Sequence, residues 1–248
     1  MLKAESLSKM YGKSIAIENI TFFANDGEIL GLLGANGAGK TTTLKIFGGL
    51  LKPTSGRVIV EGIDVVQEPI LAKSKIGYLP ESPSLYEKLT GFDLLMMLGA
   101  LRKLDQGNVE KRIFELSKVL ELNSAIYNEI STYSKGMRQK LAFLTAVLHN
   151  PDVLILDEPT SGLDPRSRKL VKNWIVQLGK LGKTILMSTH VTETAESICN
   201  KIAIIDKGRI VAMGTAEEIC TKTSTDTLED AFVKLVGGTE WKIQDIVH

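Results

Sequence analysis

Residues 31–42 read GLLGANGAGKTT. The first letters close an apolar run, Ile29–Leu33, with the composition of a buried strand. Three glycines then surround a single cation: Gly34, Gly37 and Gly39 lead into Lys40, Thr41 and Thr42. A helix-compatible run, Thr41–Phe47, follows. Strand, glycine loop and helix succeed one another without a break.

Gly34–Thr41 fits G-x-x-x-x-G-K-[ST] in full, in the strand–helix setting that this pattern requires. Glycines bring backbone N–H groups close to an anion because no Cβ intervenes. Across Asn36, Gly37, Ala38 and Gly39 the chain can wrap phosphate oxygens, and the following helix adds its positive end. Lys40 supplies a mobile charge for the β- and γ-phosphates, and the Thr41 hydroxyl suits Mg²⁺. The stretch therefore implies a nucleoside triphosphate site. A guanine-reading N-K-x-D is missing: the only Asn-Lys pair, Asn200-Lys201, continues Ile-Ala, which argues against GTP.

A second chemical signal lies downstream. Val153–Leu156 is an apolar strand that ends in Asp157 and Glu158. The C-terminal end of a buried strand is where an α/β sheet presents chemistry. Asp157 can hold Mg²⁺, and Glu158 can polarise an attacking water as general base.

Composition limits the alternatives. A chain of 248 residues, 44% hydrophobic and 24% charged, buries a sizeable core without disulfides. Net charge is +1, so nucleic acid is not expected as a partner. Cys199 and Cys220 make no disulfide framework and fit a reducing compartment, and three scattered histidines give no zinc pattern. The N-terminus lacks a signal-peptide core. The richest apolar stretch, Leu94–Leu101, is far shorter than the roughly 20 residues of a membrane span. A soluble chain is expected, with any membrane connection made through a partner.

The coarse pattern is α/β. Strand-like runs recur at Ile29–Leu33, Arg57–Val60, Val153–Leu156, Thr184–Met187, Ile202–Ile205 and Arg209–Ala212. Residues 85–149 read as almost wholly helical. Thr90 and Asp93 form a capping-box pattern for a helix running to Leu104. Lys135–His149 places Met137, Leu141, Leu144 and Leu148 on one face. Asp164-Pro165 caps another helix, with a core stripe at Leu170, Val171, Trp174, Ile175 and Leu178.

Between the two chemical signals lies Tyr133-Ser134-Lys135-Gly136-Met137-Arg138-Gln139. Here the chain resembles the nucleotide-binding subunit of ATP-binding cassette (ABC) transporters, whose signature is L-S-G-G-Q. Ser134 and Gly136 match its serine and second glycine; Tyr133, Lys135 and Met137 depart from it. Other family elements follow in order. Ser161-Gly162-Leu163-Asp164 resembles the D-loop, His190 the switch histidine, and Tyr11-Gly12-Lys13 the adenine-stacking A-loop. By themselves, Ser134 reads as a helix N-cap, His190 as a structural strand-end histidine and Tyr11 as a surface aromatic. Gly77-Tyr78-Leu79-Pro80-Glu81 falls at the Q-loop, with Glu81 where the family usually has glutamine.

The resemblance covers about residues 1–220. It implies the ABC ATPase type of P-loop α/β fold: a mixed β core, an N-terminal antiparallel β subdomain and an inserted helical subdomain at about 85–149. Residues 221–248 would form a C-terminal helical tail. ATP and Mg²⁺ are the implied ligands. The resemblance places ATP on Tyr11, Asn36, Gly37, Ala38, Gly39, Lys40, Thr41 and Thr42, and on Ser134 and Gly136 of a second cassette. Metal falls to Thr41, Glu81 and Asp157, and catalysis to Glu158, His190 and Lys40. A homodimer or heterodimer of cassettes would dock on a membrane-spanning transporter subunit at the cytoplasmic face, with Leu85, Tyr86 and Leu89 as docking candidates. The YSKGM and GYLPE forms and the tail Thr227–Phe232 look most like the exporter branch. The competing readings are a soluble ABC ATPase acting on nucleic acid or ribosomes, and a metabolite kinase.

Overall fold

The computed structural model describes residues 1–237. Two long strands open the chain, β1 (Leu2–Tyr11) and β2 (Ser14–Ala24), joined by a tight turn at Gly12. Next come β3 (Ile29–Leu33), α1 (Lys40–Phe47), β4 (Ser55–Val60), β5 (Ile63–Asp64), α2 (Pro69–Lys75) and β6 (Ile76–Leu79). Helices α3 (Gly91–Leu101), α4 (Gln106–Val119) and α5 (Lys135–Val147) fill the expected helical insertion. Then β7 (Val153–Asp157), α6 (Pro165–Lys180), β8 (Thr184–Thr189), α7 (Thr192–Ile198), β9 (Lys201–Asp206) and β10 (Arg209–Gly214) complete the sheet. Helices α8 (Ala216–Thr223) and α9 (Leu228–Val236) close the described chain. Of the stretch expected as a tail from residue 221, the end of α8 and all of α9 are helical, and residues 238–248 lie outside the described residues.

Two sheets result. One is antiparallel, in the order β2-β1-β4-β5; the other is mixed, in the order β10-β9-β3-β8-β7-β6. Within the second, β3, β6, β7, β8 and β9 run parallel and only β10 is antiparallel. Every residue of β3, β7 and β8 is buried, as expected for parallel strands covered on both faces. Leu30, Leu32, Val153 and Ile155 share one core with α1 and the antiparallel sheet. Leu154, Leu156, Ile185 and Met187 face the other way, into a core with α3, α4, α5 and α6. Each such fully buried aliphatic side chain contributes about 1.5–3 kcal/mol.

Strands β1, β2, β5 and β6 have no counterpart in the strand runs read from sequence. In β1 and β2, Ser6 (φ 45°) and Asn19 (φ 49°) interrupt the ladder with register shifts, which breaks the alternation. Strand β6 has only four residues. Helix α3 is capped by Thr90, whose Oγ1 accepts the Asp93 N–H at 3.0 Å, but it stops at Leu101 rather than Leu104. Its C-terminus turns at Lys103 (φ 57°). Likewise α5 ends at Val147, two residues short of His149. In α6, Asp164 caps as expected, accepting the Ser167 N–H at 3.0 Å. Of its expected stripe Val171 and Ile175 are fully buried, while Leu170, Trp174 and Leu178 are half-buried.

Candidate functional site

The loop 34–39 leaves the end of β3 and enters α1 through two left-handed glycines, Gly37 (φ 81°) and Gly39 (φ 110°). Only glycine adopts φ near 110° without strain. At Gly39 a Cβ would also lie 2.7 Å from the Ala16 carbonyl oxygen, so the loop is pressed against the start of β2. The N–H groups of Gly37, Gly39, Lys40, Thr41 and Thr42 find no acceptor among the described residues. These are the orphan donors of a helix N-terminus, open to an anion.

A cavity of about 280 Å³ lies over this loop, lined by Ala16, Asn36, Gly37, Gly39, Lys40, Thr41, Thr42, Glu81 and Glu158. Lys40 is 6% exposed. Its ammonium donates to the Gly34 carbonyl at 2.7 Å and to that of Ala35 at 3.2 Å, and sits 3.8 Å from Glu158 Oε1. Burial holds its pKa below the usual lysine value, opposed by the charges of Glu158, Asp157 and Glu81. The charged form is thus under-compensated here, as suits a cation awaiting phosphate.

The acids enter from β7, which is separated from β3 by β8. Asp157 is 1% exposed and accepts the Ser188 hydroxyl proton at 2.5 Å. The same hydroxyl oxygen accepts the Glu158 N–H at 2.9 Å. Glu158 has φ 46°, a left-handed turn for a residue with a side chain. Its carboxylate lies 2.9 Å from His190 Nδ1. A carboxylate accepts, so the contact suits the tautomer in which Nδ1 donates and Nε2 faces away from Glu158. Glu158 thereby joins Lys40 and His190 in one contiguous cluster.

The remaining candidates divide. Glu81 lines the cavity. Ala38 is buried beneath it, its carbonyl accepting the Gly208 N–H at 2.9 Å. Tyr11 ends β1, is 51% exposed and lies outside the cavity lining, with the Lys9 ammonium 5.4 Å from its ring centre. Ser134 is exposed and caps α5, accepting the Met137 N–H at 3.2 Å; Gly136 is half-buried, and neither lines the cavity. In the D-loop segment, Gly162 (φ 70°) lies against Lys135, whose Cε would be 2.6 Å from a Cβ. Leu85 and Leu89 pack on the helical core, which leaves Tyr86 as the exposed member of the docking trio. Sequence reasoning missed Ala16, brought in by the antiparallel sheet, and Ser188, whose only signal was a hydroxyl two residues before His190.

Comparison with known proteins agrees with this geometry. Residues 17–161 match the family described as ABC transporter. The linearmycin resistance ATP-binding protein LnrL of Bacillus subtilis is 38% identical over 228 residues, covering 92% of this chain and 73% of its own. The Nod factor export ATP-binding protein I of Cupriavidus metallidurans is 35% identical over 219 residues, covering 88% and 72%. A solved dimer of the ATP-binding cassette MJ0796, in a post-hydrolysis state bound to ADP and Pi, superposes with a TM-score of 0.80. Its identity is 26%, over 87% of this chain and 98% of that one. Taken with the P-loop cavity and its acid–histidine cluster, these likenesses place the chain in the ABC transporter ATP-binding family, whose members are ATPases.

Proposed function

We propose that this chain is the ATP-hydrolysing subunit of an ABC exporter, working as a pair of cassettes docked on a membrane-spanning partner at the cytoplasmic face. The observation that carries the reading is the division of the site. Lys40 and Glu158 line one cavity and His190 is bonded to Glu158, whereas Ser134 and Gly136 neither line it nor touch this cluster. A two-fold arrangement of cassettes brings the second set to the first across an interface used twice. Relatives named for linearmycin resistance and Nod factor export support the export direction. Among the described residues no helix is long and apolar enough to cross a membrane, so the membrane path falls to the partner.

The phosphates of ATP draw the Lys40 ammonium away from the Gly34 and Ala35 carbonyls and fill the orphan N–H groups of the loop. Tyr11 stacks on adenine from the rim. Glu158 takes a proton from the attacking water as the bond between the γ-phosphorus and its bridging oxygen breaks, releasing ADP and phosphate. His190 orients Glu158 through Nδ1, and Nε2, when protonated, donates toward the γ-phosphate side. The donor set fits Mg²⁺, since Thr41, Asp157 and Glu81 offer hard oxygens only. Among the described residues no three His, Cys, Asp or Glu side chains make a metal site unaided, which leaves room for phosphate and water ligands. The ion supplies charge neutralisation at the β- and γ-oxygens when bound.

Light scattering tests the reading. Glu158→Gln binds ATP, loses at least about 100-fold in turnover and accumulates as a dimer. Adding Ser134→Arg to it restores the monomer. A Glu158→Gln chain that stays monomeric at saturating ATP refutes the paired cassette, and a dimer that survives Ser134→Arg refutes the placement of Ser134.

A further inference from the structure

We infer that Ser188 is the positioning residue that sets the metal-side acid and the general base together. The inference rests on the proposed roles of Asp157 and Glu158. Ser188 pairs with Asp157 in the β7–β8 ladder and is fully buried. Its single proton goes to Asp157 Oδ1 at 2.5 Å, and its oxygen accepts the Glu158 N–H at 2.9 Å. One hydroxyl is therefore used twice, on the last residue of the neighbouring strand and the residue that follows it.

Each bond has a separate consequence. The bond to Asp157 is charge-assisted and fixes which carboxylate oxygen remains for a metal ion. The bond from Glu158 N–H holds the backbone where it turns to φ 46°, a conformation that persists only when its surroundings enforce it. That turn aims the Glu158 carboxylate at Lys40 and His190. Packing gives no competing reason for a hydroxyl here. The three residues before it, Ile185–Met187, are apolar, and the other buried hydroxyls of β8, Thr184 and Thr189, bond to backbone groups and not to the acids. A buried hydroxyl needs partners, and both partners of this one belong to the reacting pair.

The test is steady-state ATP hydrolysis by the full chain with Ser188→Ala, Ser188→Thr and Glu158→Gln, each with a melting temperature and a Mg²⁺ titration. Ser188→Ala is expected to lose roughly 10- to 100-fold in kcat, the scale of a misplaced catalytic group, with KM for ATP within about threefold. Its half-saturating Mg²⁺ concentration rises, and Ser188→Thr regains most of the rate. Turnover of Ser188→Ala within twofold of the parent, beside an inactive Glu158→Gln, overturns the inference alone. So does a Ser188→Thr as slow as Ser188→Ala when both melt like the parent. A fully active Glu158→Gln instead removes the catalytic assignment on which the inference rests.

Discussion

Replacing Lys40 by methionine separates the two roles that its position allows. In the free protein the ammonium is buried, donates to the Gly34 and Ala35 carbonyls and lies 3.8 Å from Glu158. Its pKa is depressed, with burial as the leading cause. The folded state therefore holds this proton less tightly than the unfolded chain does, and charged Lys40 costs stability at neutral pH. Lys40→Met should leave the melting temperature of the free protein unchanged or slightly raised. Nucleotide reverses the balance, because a charged hydrogen bond to phosphate is worth about 1.5–3 kcal/mol, or roughly 10- to 150-fold in affinity. A non-hydrolysable ATP analogue at about 100 times its dissociation constant stabilises the parent by about 2.7 kcal/mol. At about 2–4 °C per kcal/mol for a chain of this size, that is about 5–11 °C. The same analogue concentration leaves Lys40→Met with about 0.3–1.4 kcal/mol, or about 1–6 °C. Differential scanning fluorimetry with and without the analogue measures both quantities. An undiminished shift refutes the phosphate contact, and a fall of more than about 5 °C without ligand refutes the view that Lys40 is a cost to the free fold.

Two other perturbations probe charge. Glu81 adds a carboxylate to the phosphate cavity, so Glu81→Gln should bind ATP about fivefold more tightly in EDTA, for about 1 kcal/mol of relieved repulsion. Equal affinities in isothermal titration would place Glu81 out of electrostatic reach. Burial, aided by Arg102, Arg112 and Lys183, pushes the pKa of His149 down from 6.5 to about 4. The unfolded chain then takes up a proton below about pH 6.5 that the folded chain refuses until about pH 4. His149 should make stability fall between those values, by up to about 1.4 kcal/mol per pH unit. Urea midpoints should fall less steeply with acidification in His149→Gln, and identical slopes would show that this histidine does not titrate between states.

The parts of the molecule legible in sequence are those written locally. The loop at Gly34–Thr42 announces itself because glycine, lysine and threonine must follow one another along the chain. Asp164 and Ser134 are legible as caps because capping is a contact across three residues. Motif order singles out Glu81, Glu158 and His190, but that Glu81 lines the cavity beside Glu158 and that Glu158 bonds to His190 is seen only in the fold. Ala16 and Ser188 were not legible: the one depends on how the antiparallel sheet meets the loop, the other on which strand lies beside β7. Strands β1 and β2 were hidden by their own irregularities at Ser6 and Asn19. The helical insertion was clear as a whole, but its ends were not, since Lys103 and the residues after Val147 turn without a glycine signal.

Strand β8 is enclosed on both sides from Thr184 to Thr189, so oiliness cannot tell it which way round to lie. Sliding it by one residue against β7 would still bury aliphatic side chains, yet would turn Ser188 to the opposite face and strand the Asp157 carboxylate in the interior. The polar lock between these two residues therefore acts as a vernier during folding: the alignment that completes the sheet is the same alignment that assembles the chemistry.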